Sequence, residues 1–371
     1  MIDYHYIRSN SELARYCQEW TSASFLAVDT EFIRTDTFFP IAGLIQIGVA
    51  GKLFLIDPLT IDEWSGLVAL FEDVSIPKVL HSCSEDLEVF QRLLGCIPTP
   101  ILDTQIGAGL AGYGSGISYQ RLVEACLGEH VEKGETRSDW LQRPLTERQC
   151  SYAALDVEYL QSVYVSLVEA LKEVGRLQWW HDECQQMLDN VRNAPGSAQY
   201  YQRIKTAWKL RGKNLLLLQR LCEWREGEAQ QQNIPRGRIL KDNSCFEIAR
   251  QQPANSIQLN AIKDVSSKIV RHHGELILNM VSEALAEDDR SVLPANLAPP
   301  LGGDDMRKFK SLRSVVQDCA EQANLPAELL MKKRDIEYIV REAAWPDSLP
   351  DWRMSLVGEG LSRYLKKESE Q

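Results

Sequence analysis

Residues 26–32 read LAVDTEF, an apolar run interrupted by two acids, Asp29 and Glu31, one residue apart. Side chains in a strand alternate with period two, so both carboxylates leave the same face. Adjacent like charges weaken a strand unless something positive lies between them, and a divalent cation held by oxygen ligands meets that need. The competing reading is a strand that ends here with both acids in water. The triplet alone does not choose between them.

The flanking segments set it in a fold. FLAVDTEF, LIQIGVA, KLFLIDP and PKVLHS read as short strands, and EDLEVFQRLLG reads as an amphipathic helix. This is the pattern of an α/β layer fold. GLIQIGVAGKLFLID predicts a hairpin turning at Gly51, which makes the sheet mixed. From about residue 146 onward strand signals nearly vanish and helical periodicity takes over. NAPGS at 193–197 and LPANLAPPLGGDD at 293–305 read as breaks, so the expected domains are 1–192, 198–292 and 304–371. The two helical blocks share a pattern: NIPRGRILKD at 233–242 and NLPAELLMKKRD at 324–335 each place Asn, an aliphatic residue and Pro before an apolar, basic segment, 91 residues apart. This suggests a duplicated small helical-bundle domain. The glycines of GAGLAGYGSG at 107–116 are not followed by Lys-Ser/Thr, and read as a flexible loop.

A chain of 371 residues suits two or three domains. With 44% hydrophobic and 25% charged residues it is globular in composition. It holds no apolar run near the roughly 18 residues of a membrane helix. MIDYHYIRSN at the N-terminus has no apolar core of a signal peptide, so a cytoplasmic protein is expected, with no membrane partner. The nine cysteines show no C-x-x-C spacing, which indicates neither a disulfide framework nor a structural zinc site. The net charge of −11 is unevenly spread: residues 1–170 hold 24 acidic and 11 basic side chains, whereas residues 200–250 hold 11 basic and 5 acidic, with Tyr200, Tyr201, Trp208 and Trp224 among them. That second stretch suits either a phosphate backbone or a solvated helix face.

Two more acids stand in unusual places. Asp86 lies where a strand gives way to a helix, and Asp156 lies in the apolar helical run YAALDVEYL, four residues after Tyr152. The i, i+4 spacing puts that phenol and carboxylate on one helix face. Four carboxylates of this kind suit two divalent metal ions about 4 Å apart serving phosphoryl transfer, with Mg²⁺ (or Mn²⁺) the expected ion. Tyr152, with an ordinary pKa near 10, is a poor base unless the metals lower it, and reads either as a group that orients the attacking water or as an aromatic packing on the core.

DTE at 29–31, HSCSEDLEVF at 81–90 and SDWLQRPLTERQCSYAALDV at 138–157 resemble the three motifs of the DEDD 3′ to 5′ exonucleases, and Tyr-x-x-x-Asp marks the tyrosine subclass. The whole chain looks like the bacterial ribonuclease D family, whose exonuclease domain precedes two HRDC-like domains. The resemblance implies an α/β ribonuclease H-like exonuclease domain, a mixed sheet flanked by helices, followed by two all-α helical-bundle domains. By motif it puts the metal ligands on Asp29, Glu31, Asp86 and Asp156, and the water-orienting role on Tyr152. It further implies an enzyme that removes nucleotides singly from RNA 3′ ends and releases nucleoside 5′-monophosphates. The expected substrates are transfer RNA precursors and other small structured RNAs, with no obligate protein partner evident. Auxiliary RNA contacts are expected from Lys205, Lys209, Arg211, Lys213, Arg236, Arg238 and Lys241. Arg34 and His81 are expected near the site. Arg143 either reaches a phosphate or holds the Tyr152 helix in place. A DNA exonuclease and a non-catalytic RNA-binding scaffold are the competing readings, and all four carboxylates being present speaks against the scaffold.

Overall fold

A computed structural model describes residues 2–131, 134–135, 138–347 and 349–369, with residues 363–369 described by backbone alone. The chain forms two compact units. One comprises residues through Ile33, Pro40–Val191 and Leu301 onward; the other comprises Arg34–Phe39 and Arg192–Pro300.

In the first unit, six strands build one mixed sheet: β1 (His5–Ile7), β2 (Leu26–Ile33), β3 (Ile41–Val49), β4 (Lys52–Ile56), β5 (Lys78–Leu80) and β6 (Ile101–Asp103). Their order is β1-β4-β3-β2-β5-β6. β3 pairs antiparallel with both β2 and β4, and the remaining pairs are parallel. The expected hairpin is β3–β4, and both turn residues, Ala50 (φ 49°) and Gly51 (φ 77°), adopt the left-handed conformation that matches strand twist. β1 and β6, three residues each, are additions to the sequence reading. They are too short to show an alternating pattern.

Seven helices pack around the sheet: α1 (Asn10–Trp20), α2 (Ser65–Glu72), α3 (Ser84–Leu94), α4 (Thr104–Ala111), α5 (Tyr119–Leu127), α6 (Glu147–Glu173) and α7 (Leu177–Arg192). Alternation in β2 divides the core. Leu26 and Val28 join the cluster made with α1, α2 and α3, while Ala27 faces the cluster made with Ala153, Ala154 and Val157 of α6. The long helix α6 begins at a capping box between Thr146 and Gln149. It crosses β3 closely: a Cβ on Gly48 would lie 2.7 Å from the Val157 carbonyl. The 107–116 segment needs correction, because its first half is the helix α4. A Cβ on Gly107 would collide with Trp180 at 2.8 Å, so the glycine serves close packing rather than flexibility.

The second unit contains α8 (Gly212–Gln232), α9 (Arg236–Ile239), α10 (Asp242–Gln251), α11 (Ser256–Asn260) and α12 (Ser267–Ala286). Its core includes Leu215, Leu218, Leu221, Leu240, Ile248 and Ile277. Phe38 packs on that core, and the Phe39 amide donates to Asn233 Oδ1 at 3.0 Å. The segment that follows β2 in the chain thus belongs to this unit.

The final segment forms α13 (Gly303–Gln322), α14 (Ala327–Leu330), α15 (Lys333–Glu342) and α16 (Asp351–Ser369). It shares one core with α4 to α7 of the first unit. Arg353 donates to Glu183 Oε2 at 2.6 Å, and Trp352 stacks on Trp179.

The 91-residue offset recurs in the backbone. Asn233 (φ 50°) and Asn324 (φ 49°) both take the left-handed conformation, and Pro235 and Pro326 each precede a one-turn helix. α10 and α15 both run ten residues and end on a left-handed residue, Gln252 or Ala343. Leu221, Ile239, Leu240 and Ile248 of the first copy correspond to Leu312, Leu330, Met331 and Ile339 of the second, and all eight are buried. Among the described residues no helix is long and apolar enough to cross a membrane.

Candidate active site

Asp29 and Glu31 leave β2 on the face covered by α6, and Asp156 comes down from α6 to meet them. One carboxylate oxygen from each lies within 4.8 Å of the other two. Asp86 arrives from the opposite face, in the first turn of α3, where the positive end of the helix favours an anion. Thr30, which alternation turns toward α3, donates its hydroxyl to Asp86 Oδ1. All four acids line a single cavity of about 230 Å³, together with Tyr152, His81, Tyr119 and Gln120.

Burial drives the electrostatics. Loss of solvation, followed by repulsion from Asp86, Asp156 and Glu31, pushes Asp29 well above the carboxylate range. Burial, and then Asp156 and Asp86, push up Glu31. Asp86 and Asp156 are raised by burial against the opposing hydrogen bonds from Thr30 and Tyr152. Among the described residues no Lys, Arg or His pairs with any of the four. A set of buried and part-buried carboxylates with no counter-charge among the described residues fits hard divalent cations, and the all-oxygen donors do not suit zinc or copper.

The shell around the acids is built from distant parts of the chain. The Asp103 carboxylate accepts from the amides of Ser82 and Cys83, both at 3.0 Å, and so shapes the turn that presents α3. His81 Nδ1 lies 2.9 Å from Thr104 Oγ1, whose own proton goes to the Leu80 carbonyl. Burial holds His81 below its usual range, which keeps it neutral. The Tyr119 hydroxyl donates to the Asp156 carbonyl, bracing α6 at that residue. A side chain on Gly134 would collide with the Tyr152 ring.

The cavity thus gathers Asp29, Glu31, Asp86, Tyr152, Asp156 and His81 from the sequence reading. Arg143 has a different environment. Its guanidinium donates to both Asp57 oxygens, at 2.7 and 2.6 Å, and to the carbonyls of Trp140, Gln142 and Gly43. With every nitrogen engaged, it fastens the segment before α6 to the sheet, where a Cβ on Gly43 would lie 2.6 Å from the Trp140 carbonyl. Arg34 lies in the second unit, with Nε donating to the Phe38 carbonyl at 3.1 Å.

Most of the anticipated basic set is also paired. Arg236 holds buried Glu226 at 2.8 Å and stacks on Tyr200. Lys213 donates to the Leu285 carbonyl, Lys241 pairs with Asp264, and Arg238 pairs with Asp36. Lys209 sits over Trp208, and Lys205 and Arg211 are exposed. Thr30, Asp103, Tyr119 and Gly134 were missed in the sequence reading. Only Thr30, lying between two predicted ligands, had a local signal that could have found it.

Comparison with known proteins supplies the relatives of the chain. A 3′-5′ exonuclease family model matches residues 4–172 and an HRDC domain model matches residues 214–281. The chain is 39% identical over 370 residues to ribonuclease D of Pseudomonas paraeruginosa, covering 98% of both chains. It is 35% identical over 376 residues to ribonuclease D of Escherichia coli, covering 99% of both. The crystal structure of Escherichia coli RNase D, described as an exoribonuclease involved in structured RNA processing, superposes with a TM-score of 0.91 at 34% identity, covering 99% of both chains.

Proposed function

The chain belongs to the ribonuclease D family and is a 3′ to 5′ exoribonuclease, and we propose that it hydrolyses RNA from the 3′ end one nucleotide at a time, releasing nucleoside 5′-monophosphates. The observation that carries this reading is the trio Asp29, Glu31 and Asp156, each with a carboxylate oxygen within 4.8 Å of the others and with no cation paired to them among the described residues. The family implies divalent metal ions. We take these to be two Mg²⁺ (or Mn²⁺) ions held by Asp29, Glu31, Asp86 and Asp156; when bound they would neutralise the phosphate and make water a better nucleophile.

The chain's own residues do the rest. In the metal-free protein burial and then the surrounding carboxylates raise Tyr152 far above its ordinary range. We assign its hydroxyl the role of orienting the attacking water by hydrogen bonding. Asp156 and Tyr152, one helical turn apart, are held as a unit by the capped start of α6 and by Tyr119. The neutral ring of His81 and the side chains of Tyr119 and Gln120 form the wall that the terminal nucleotide meets. The two helical repeats, at 198–292 and 304–371, serve as HRDC-like RNA-contacting domains that follow the exonuclease domain at 1–192; residues 1, 370 and 371 lie outside the described ones. Precursors of transfer RNA and similar structured RNAs are the proposed substrates, in the cytoplasm.

The test is a gel time course on a 5′-labelled RNA with a single-stranded 3′ end, with Mg²⁺, with chelator, and with Asp156→Ala. Stepwise shortening that requires both metal and Asp156 is expected. Tight binding by folded protein with no shortening of RNA or a matched DNA strand would favour the scaffold reading, and faster shortening of the DNA would favour the DNA reading.

A further inference from the structure

The second unit carries a cavity of about 370 Å³ lined by the end of α8, the one-turn helix α9 and the first turns of α12. Ile234 and Ile269 give it an apolar wall, and Arg238, Lys268, His272 and His273 surround it. In a chain of net charge −11, no Asp or Glu lines this cavity. Lys268 makes no ion pair among the described residues. Arg238 pairs at the exposed rim with Asp36, whose side chain is largely in solvent. Both imidazoles are oriented. His272 Nδ1 lies 2.8 Å from the Lys268 carbonyl, leaving Nε2 for a ligand, and His273 packs edge-on against Trp224 with ring centroids 5.2 Å apart.

Cations beside ring faces and aliphatic wall, in a cleft the size of one small ligand, are what a single-stranded nucleotide requires: charge for its phosphate and apolar or π surface for its base. We infer that this cavity is a second RNA subsite. It holds one nucleotide of the bound strand, with the phosphate on Lys268 and Arg238 and the base against Ile269 and His273. This rests on RNA being the substrate. It places the helical domain's RNA contact at α9 and α12, and not along Lys205–Lys213, where the sequence is richest in basic residues.

The experiment uses the full chain with chelator present, so that RNA is bound without being cut. A fluorescent single-stranded RNA of about 16 nucleotides is titrated across a range of salt. Lys268→Ala/His272→Ala is expected to bind about tenfold more weakly, with a log K against log salt slope shallower by about 0.7 for each phosphate that the variant no longer neutralises. With Mg²⁺ restored, cleavage of a dinucleotide should match the wild type. Lys268→Glu, at an exposed position, is the second variant and should weaken binding further, while Lys268→Arg should restore it. Wild-type affinity and salt slope in the folded variants would overturn the subsite. So would saturation of the cavity by a free nucleoside monophosphate with RNA affinity unchanged. If the wild-type chain neither bound nor shortened RNA, the exoribonuclease reading would fall as well; if it did both and the variants matched it, only the subsite would fall.

Discussion

The Thr30 hydroxyl donates to the Asp86 carboxylate across 56 residues of sequence. β2 thereby serves the site from both faces, with Asp29 and Glu31 toward α6 and Thr30 toward α3. Groups that orient ligands typically matter by about 10–100-fold in metal affinity or activity. Thr30→Val should therefore raise the Mg²⁺ concentration needed for half-maximal rate by about tenfold, while Thr30→Ser should behave nearly as wild type. An unchanged metal requirement in Thr30→Val, read by Mn²⁺ binding as well as by rate, would remove Thr30 from this role.

The four acids make the metal-free protein sensitive to pH. Burial and mutual repulsion raise Glu31 to about 9, and burial raises Asp86 and Asp156 to about 7, whereas unfolded carboxylates titrate near 4. Because the folded state holds protons that the unfolded state has released, this contribution is full below about pH 4 and is lost as pH rises through 7 to 9. Between pH 6 and 9 the Tm of metal-free protein should fall with rising pH, more steeply than that of Asp156→Asn. Added Mg²⁺ should raise Tm at pH 8 more than at pH 6, because it replaces protons and binds only the folded site. Equal slopes in the two proteins would count against the account.

Arg143 and Asp57 test structure against substrate contact. Asp57 is buried and accepts two guanidinium bonds and the Tyr6 hydroxyl. Removing the arginine leaves a buried carboxylate short of its counter-charge, which costs about 3 kcal/mol. Arg143→Met should lower Tm by several degrees, yet show a near-normal KM for RNA well below that temperature. A raised KM with unchanged Tm would mean that Arg143 binds phosphate.

Much of this was legible along the chain because it follows from local geometry. Period two put Asp29 and Glu31 on one face, i, i+4 spacing put Tyr152 beside Asp156, Gly51 marked the hairpin, and the paired Asn-x-Pro patterns marked the helical repeat. GAGLAGYGSG reads wrongly as a loop because only the folded structure shows that Trp180 needs Gly107 without a side chain, and sequence could not show that Arg236, Lys241 and Arg238 of the basic stretch have Glu226, Asp264 and Asp36 beside them.

What the sequence by itself determined is the chemistry: which side chains carry charge, and which neighbours within a few residues share a face. Only the tertiary structure decided which of those charges stay uncompensated. Asp57 receives Arg143 from 86 residues away, Glu183 receives Arg353 from 170 residues away, and the Asp29 cluster receives no cation among the described residues. Periodicity acts over one or two turns of backbone, whereas pairing of buried charges depends on which distant segments the folded core brings within about 3 Å of each other.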